Sequence, residues 1–422
     1  MFDKDLWQEI MGALKKNKAR TLLTAFGVFW GILMLIIMLG AGKGLHNGVT
    51  KGMGDFATNS FFIWQKRTSI PYKGFPSGRW IRFNNADVRC LRDNFKDILY
   101  MAPKLNVEFW RGEGQNVIMY RQKSGSFEVS GEYPEIFKID PRIVLQGRTI
   151  NYLDLTQTRK VAVIGKTVVD GLFDKGENPV GQYVKIYGMY FMVIGTVESK
   201  HNGSDGEEQN RSVILPFTTM QQTYNFGNRV HEIAITAKEG TSVSLLEDNV
   251  ITILKKRHDI SPDDKQAIGN YNLEKEVAQM NGLFMGINIL IWIVGIGTLL
   301  AGIIGVSNIM LVIIRERTRE IGIQRAIGAT PLKIMGQIIL ESVFLTTVAG
   351  YTGLVLGVSI VEGVNLMLVK SGAKTGMFSN PEIDFGVAIA ALTILIISGV
   401  FAGLIPAKRA LSIKPVDALR YE

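Results

Sequence analysis

The sequence predicts a membrane protein with four transmembrane α-helices and a large α+β extracytoplasmic domain between the first and second helix. Three observations carry this. Four stretches are long and almost free of charge, although 20% of the 422 residues are charged. Basic clusters flank those stretches on one side only. The long segment between the first two reads like an ordinary water-exposed domain.

The first stretch is "TLLTAFGVFWGILMLIIMLG", Thr21 to Gly40. About 20 helical residues at ~1.5 Å each give ~30 Å, the thickness of a bilayer core. The second is "INILIWIVGIGTLLAGIIGVSNIMLVII", from Ile287. The third centres on "SVFLTTVAGYTGLVLGVSIV", and the fourth is "FGVAIAALTILIISGVFAGLI" from Phe385. The expected spans are 21–42, 286–314, 334–368 and 385–405. Helices buried in a soluble core rarely run this long without a charge. A basic start and "GAG" near Gly40 imitate a signal peptide, but the apolar run is longer than a signal core. A polar segment also precedes it, so the first span reads as an uncleaved anchor.

Charge orients the spans. Lys15, Lys16, Lys18 and Arg20 precede the first. Arg315, Arg317, Arg319, Arg325 and Lys333 separate the second from the third. Lys408, Arg409, Lys414 and Arg420 follow the fourth. In a four-span protein all three clusters share a side, and the positive-inside rule makes it the cytoplasm. The segment 1–20, the turn 315–333 and the tail 406–422 are expected there. The domain 43–285 and the short loop 369–384 are expected outside. The net charge of +9 fits flanks that face anionic membrane lipid. No nucleic-acid module is present, and a basic cluster beside a span is normally a topology signal. Cys90 is the single cysteine and cannot form an intramolecular disulfide.

Within the external segment, "SFFIW", "KLNVEFW", "NVIMY", "FEVSG", "KVAVIG", "QYVKIYG", "YFMVIGTV", "SVILP" and "EIAITA" read as strands. "NADVRCLRDNF" places Val88, Leu91 and Phe95 at helical spacing, with Asn85 as its cap. "SVSLLEDNVITILKKRH" puts Val243, Leu246, Val250 and Leu254 on one helical face. "RTSIPYKGFPSGRW" and "SKHNGSDGEEQNRS" read as solvated loops, the second as a mobile one.

One motif raises a nucleotide question. In "RKVAVIGKTVVDGLF", Gly165, Lys166 and Thr167 follow a strand and enter a helix, the outline of a P-loop. A P-loop needs a second glycine five positions earlier, for the nest of N–H groups around the phosphates. That position is Lys160, and the site is external, where ATP is scarce. The triplet reads as a turn, with no ATP bound by this chain. The four histidines, His46, His201, His231 and His258, lack metal-ligand spacing. No G-x-S-x-G or H-E-x-x-H occurs. The chain is expected to be non-catalytic and metal-free.

The most informative stretch is "GVSNIMLVIIRERTREIGIQRAIGATPLKIMGQIILES". A membrane helix ends in a dense charge cluster: Arg315, Glu316, Arg317, Arg319 and Glu320. Ile323, Ala326 and Ile327 then line one side at helical spacing. Gly328 suits a left-handed stop, Thr330 a cap and Pro331 the first position of the next helix. Such a short amphipathic helix must lie on lipid, pack on its own chain or dock in a partner. Glu341, early in the third span, has two options: snorkelling or pairing with a cluster arginine. Ser307 and Asn308 are polar near the end of the second span. Gly27 and Gly31, and likewise Gly353 and Gly357, form small-xxx-small pairs suited to close helix packing.

This stretch resembles the coupling-helix region of MacB/FtsX-family ABC permeases of the type VII class, whose pattern runs R-T-x-E-I-G-I/L-x-x-A-I/L-G-A. Arg317, Thr318, Glu320, Ile321, Gly322, Ile323, Ala326, Ile327, Gly328 and Ala329 match it. The likeness continues through "NKARTLLTAFGVFWGI" in the first span, "VSGEYPEIFKI" and "NPVGQYVKI" in the external domain, and "PAKRALSIKPVDALRYE" at the end. It implies an inner-membrane permease subunit that pairs with a second permease chain, as a homo- or heterodimer. It implies ATP and Mg on a separate cytoplasmic ATPase, since only 20 residues precede the first span where MacB proper carries its ATPase domain. That ATPase would receive the hairpin 315–333 and drive the external domain by mechanotransmission, extruding a substrate. A periplasmic adaptor and an outer-membrane channel are further implied partners. FtsX-like control of a cell-wall hydrolase and LolC/LolE-like lipoprotein release are the competing functions within the family.

Overall fold

The computed structural model describes residues 18–52, 57–107, 117–201, 203–370 and 378–412. Lys15, Lys16 and Asn17, the strand end 108–110, loop residues 371–377, and Lys414, Pro415, Val416, Ala418, Leu419 and Arg420 of the tail lie outside them. The chain divides into two compact units, Met1–Val49 with Leu283–Glu422, and Thr50–Gly282.

Four helices dominate the first unit: Lys18–Gly52, Leu273–Glu316, Pro331–Lys370 and Phe385–Leu411. Among the described residues these four are long and apolar enough to cross a membrane. Two run well past the expected spans, the first on to Gly52 and the second from as early as Leu273. Apolarity marks where lipid lies. The backbone ladder, once nucleated, propagates at little cost into polar residues that tolerate helix.

Lipid tails are as apolar as leucine, so close packing of small residues decides which helices touch. A Cβ on Gly27 would stand 3.5 Å from the Cα of Gly302, and one on Gly31 3.5 Å from Leu299 N. The first helix thus lies on the second. A Cβ on Gly353 would stand 2.6 Å from the Phe29 carbonyl oxygen and one on Gly357 2.8 Å from the Ile36 Cγ2, so the third helix lies on the first. A Cβ on Gly403 would stand 3.0 Å from the Cα of Ile339, which seats the fourth helix on the third. Both sequence-predicted glycine pairs therefore pack within one chain. Val28, Ile32, Leu35, Ile36, Leu299 and Leu395 fill the core between them.

The second unit is built on strands. In chain order they are β1 (Ser60–Gln65), β2 (Phe83–Asn84), β3 (Ile98–Asn106), β4 (Val117–Tyr120), β5 (Lys123–Ser126), β6 (Glu128–Glu132) and β7 (Arg142–Gly147). There follow β8 (Val161–Gly165), β9 (Tyr183–Ile186), β10 (Met189–Ser199), β11 (Ser212–Pro216), β12 (Arg229–Val230), β13 (Glu232–Ala237) and β14 (Ile268–Asn272). The main sheet runs β14-β1-β13-β3-β6-β11-β8-β10-β9-β4-β5, with β7 beside β10, and β12 pairs β2 separately. The β6–β11 and β8–β10 pairs are parallel.

Alternation sorts the residues of β1, β13 and β3 onto two faces. Phe61, Ile63, Ile233, Ile235, Met101 and Leu105 go to the main core. Helices Asn85–Asn94 and Val243–Arg257 cover them with Val88, Leu91, Val243, Leu246, Val250 and Leu254. Ala102 and Ala234 go to the other face, against Ile136 and Ile139, with Phe62 packed beside them.

Two local expectations are corrected. The helix Asn85–Asn94 is capped by Asn84, not Asn85: the Asn84 side chain accepts from Ala86 and Asp87 N–H, and the Asp87 carboxylate accepts from the Asn84 N–H. A cap one residue earlier lets this reciprocal box close. The stretch from Ser199, read as a mobile loop, contains the helix Ser204–Asn210. Asp140, nearly buried, bonds His201 Nε2 at 2.8 Å and Gln209 Nε2 at 2.7 Å, and so ties both ends of the segment down.

Three carboxylates hold the second unit together. Asp87 accepts from Arg257 Nε at 2.8 Å and His258 Nε2 at 2.9 Å, linking the two helices. Burial alone would raise its pKa, but the bonds from His258 and Arg257 lower it. Asp154 is lowered likewise against its burial by Arg148 and the Asn151 N–H, and Glu247 by Asn272, Asn270 and Lys275. A depressed folded pKa contributes stability above the unfolded value, and that stability is lost as pH falls through the folded value. The unfolding temperature of this unit should be flat from pH 7 to about 5 and drop below about pH 4. Fluorescence melts across pH test it. An acid slope in Asp87→Asn as steep as in the parent would refute the Asp87 share.

Candidate functional site

The hairpin after the second helix is built from its ends inward. Thr318–Ala326 forms one short helix, capped at its C-terminus by Ile327. Ala329 N–H bonds the Gln324 carbonyl at 2.9 Å and Gly328 N–H the Arg325 carbonyl at 3.2 Å. Those two bonds make a Schellman stop, which needs a residue with positive φ, and Gly328 supplies φ +107. The third long helix then starts at Pro331, with the Thr330 carbonyl accepting from Lys333 and Ile334 N–H.

The short helix presents two different sides. Ile321 and Gly322 are buried, Ile321 in the membrane-helix core with Ile314, Ile334 and Ile338. One turn on, Arg325 Nη1 donates to the Leu411 carbonyl at 3.1 Å, at the end of the fourth helix. Arg317 Nη1 reaches Glu341 Oε2 in the third helix at 3.5 Å, and its Nε donates to Glu320 at 2.9 Å. Glu341 is only 2% exposed, so of its two options it pairs rather than snorkels. The opposite side is open. Ile323 is 40% and Ile327 82% exposed, and Ala326 lies exposed between them. Arg315, Glu316, Arg319 and Glu320 are exposed at the root.

The coupling set read from the sequence thus divides. Ile323, Ala326, Ile327 and the charged root can meet a partner. Ile321 and Gly322 cannot, because at 100° per residue they fall on the side that faces their own chain. The sequence reading offered Glu341 a cluster arginine without saying which, and it missed the anchor Arg325–Leu411. The signal for Glu341 was a lone acid in an apolar run.

The Gly165-Lys166-Thr167 triplet is engaged by its own domain. Gly165 ends β8, and a Cβ there would collide with the Asn210 carbonyl. Lys166 Nζ bonds Glu198 Oε1 at 2.6 Å. Lys166→Ala should leave ATP turnover of the assembled transporter unchanged in a coupled phosphate-release assay. A loss of nucleotide binding in the folded variant would reopen the question. No group of three or more His, Cys, Asp or Glu that could hold a metal occurs among the described residues.

A family model described as the MacB-like periplasmic core domain matches residues 21–253, and one described as the FtsX-like permease C-terminal matches 292–415. A pyoverdine export ATP-binding/permease protein of Pseudomonas putida is 30% identical over 410 residues, 96% of this chain and 58% of that protein. A macrolide export ATP-binding/permease protein of Bdellovibrio bacteriovorus is 27% identical over 411 residues, 97% of this chain and 60% of that protein. The chain therefore spans less than two thirds of the length of these relatives. The crystal structure of the periplasmic region of MacB from Actinobacillus actinomycetemcomitans aligns with a TM-score of 0.42 at 19% identity, covering 54% of this chain and 94% of that one. With a periplasmic core model over more than half its length and a permease model over its last three helices, the chain belongs to the MacB/FtsX family of ABC-transporter permeases.

Proposed function

We propose that this chain is the membrane subunit of an efflux or extrusion transporter. A separate cytoplasmic ATPase, carrying ATP and Mg, docks on the hairpin, and a second permease chain completes the pair. The observation that carries the reading is the two-sided hairpin helix. Its outer strip, Ile323 and Ile327, is exposed and apolar, while its inner side is tied to the third helix through Glu341 and to the fourth through Leu411. A rigid lever of this kind passes a push from a docked partner into the membrane helices. The helices then move the periplasmic domain by mechanotransmission. Export of a small molecule is in keeping with the roles in the relatives' names, pyoverdine and macrolide export. A periplasmic adaptor and an outer-membrane channel would complete the path.

The reading requires the hairpin and both termini to face the cytoplasm. In a Cys90→Ser background, Glu207→Cys should react with an impermeant maleimide on intact spheroplasts. Thr330→Cys should react only after the membrane is opened. The reverse pattern would place the hairpin where no ATPase can reach it.

A further inference from the structure

An open cavity of about 420 Å³ lies on the second face of the strands β14, β1, β13 and β3. Strand register builds it. Gly269, Trp64, Glu232 and Lys104 form one row straight across the four strands. Tyr271 and Phe62 stand together in the next row. A Cβ on Gly269 would run into the indole of Trp64, so the glycine lets that ring lie flat across the sheet. The helix Ile136–Ile139 covers Ala102 and Ala234 but leaves this end of the face open.

The cavity has an aromatic wall and an acidic end. Phe62, Trp64 and Tyr271 make the wall. At the other end Glu232 and Lys104 line the cavity, and the fields of Glu132, Glu232 and Glu128 act on the Lys104 ammonium, opposed by that of Arg142. Burial alone would lower the lysine, but the fields of those three acids hold it above its ordinary value. Lys104 Nζ stands 3.7 Å from Glu132. The next cation, Arg142, lies 3.8 Å from a different acid, Asp140. No described cation stands within ion-pair distance of Glu232. Burial raises the Glu232 carboxyl in spite of Lys104, and the other two acids add to it. His231 contributes no charge, since burial pushes it down to about 4, and its Nδ1 accepts from the Asn106 N–H at 3.1 Å. Two buried acceptors, Asn106 Oδ1 and Glu132 Oε2, have no hydrogen-bond partner among the described residues.

Excess negative charge, aromatic faces and unmet acceptors call for one kind of guest. We infer that this cavity binds an organic cation: a primary ammonium or guanidinium group at the Glu232 end, on an apolar body that packs against Phe62, Trp64 and Tyr271. The cation supplies the charge that three acids lack with one lysine. Its N–H groups supply a donor to Asn106 Oδ1, the unmet acceptor whose residue lines the cavity, at the strength of a charge-assisted bond. Aromatic faces attract the same charge through their quadrupoles. A volume of a few hundred Å³, mostly apolar with a few convergent polar groups, suits a small molecule. An anion is disfavoured, because Lys104 is already engaged by Glu132 and Arg142 by Asp140. The inference is independent of how the ATPase docks.

The test is calorimetric titration of the full chain in zwitterionic-lipid nanodiscs, with empty discs subtracted. Tryptamine should saturate one site per chain. Its N,N,N-trimethyl derivative keeps the charge but has no ammonium N–H and should bind at least tenfold more weakly. Indole-3-propionate, with a carboxylate in place of the amine, should not bind. Glu232→Gln and Trp64→Ala should each weaken tryptamine at least tenfold at an unchanged unfolding temperature. Lys104→Met removes the competing ammonium and should tighten it at least threefold, a gain that loss of fold cannot imitate. No saturable binding of tryptamine, equal binding of the anion, or weaker binding by Lys104→Met would each overturn the inference.

Discussion

Ile323→Ala combined with Ile327→Ala is expected to release the ATPase from the purified permease. Full burial of an isoleucine side chain stabilises by about 1.5–3 kcal/mol. Ile327 is 82% exposed in the free chain and has nearly all of that to give to a partner. Ile323, 40% exposed, has less. Together the truncations should weaken docking by about 2 kcal/mol or more, roughly thirtyfold. The ATPase should then be lost on co-purification at micromolar concentrations, and transporter-stimulated ATP hydrolysis should fall with it. Retention at the parent's affinity would show that the strip rests on lipid and that the hairpin does not receive the ATPase.

Two further variants separate contact from transmission. Ile321→Ala removes a side chain buried against the membrane helices, so it should lower the unfolding temperature while the docking strip stays whole. Gly328→Val adds a β-branched side chain where φ is +107, and nothing lies within 4 Å of the added Cβ. Its whole cost is backbone strain, which the Schellman stop can relieve only by turning the third helix. Docking should survive in this variant while hydrolysis and export come apart. If Gly328→Val behaved like the double isoleucine variant, the stop would be part of the contact itself.

Much of this architecture was legible because membrane and water impose different patterns on a sequence. An uncharged run long enough to cross a bilayer has few other uses. Positions within one face were harder. The strip at Ile323 and Ile327 could be read from four-residue spacing, but Ile321 belongs to the same apolar count and faces the other way. Only packing tells which side of a short helix its own chain has taken. The glycine pairs were visible as spacing, whereas their partners, Gly302 and the Phe29 carbonyl, are distant in sequence. The acidic, aromatic cavity was invisible for the same reason: Trp64, Lys104 and Glu232 become neighbours only when three strands come into register. The helix from Ser204 was lost because its polar composition argued for a loop, and Asp140, which holds it, stands far upstream.

The glycine contacts yield the second large effect, and they differ in kind. A methyl on Gly353 would stand 2.6 Å from the Phe29 carbonyl oxygen, a backbone atom of the neighbouring helix. No rotamer moves that atom, so the two helices must separate along their seam. Overpacking of this sort costs about 1–3 kcal/mol for one methyl, and more for larger side chains. Gly353→Ala should therefore lower the unfolding temperature in detergent, and Gly353→Leu should yield little folded protein. Gly27→Ala is the control: its methyl lies 3.5 Å from Gly302, ordinary contact, and alanine is the better helix former. It should be neutral or stabilising. Gly357→Ala meets the Ile36 Cγ2 at 2.8 Å, a side-chain atom that leucine lacks at that branch. The pair Gly357→Ala with Ile36→Leu should then be more stable than the sum of the single changes, a positive coupling in a double-mutant cycle. No change at residue 29 should rescue Gly353→Ala, because the obstacle there is main chain. If Gly353→Ala melts with the parent, or if Gly27→Ala is the worse of the two, the first and third helices do not meet along this seam.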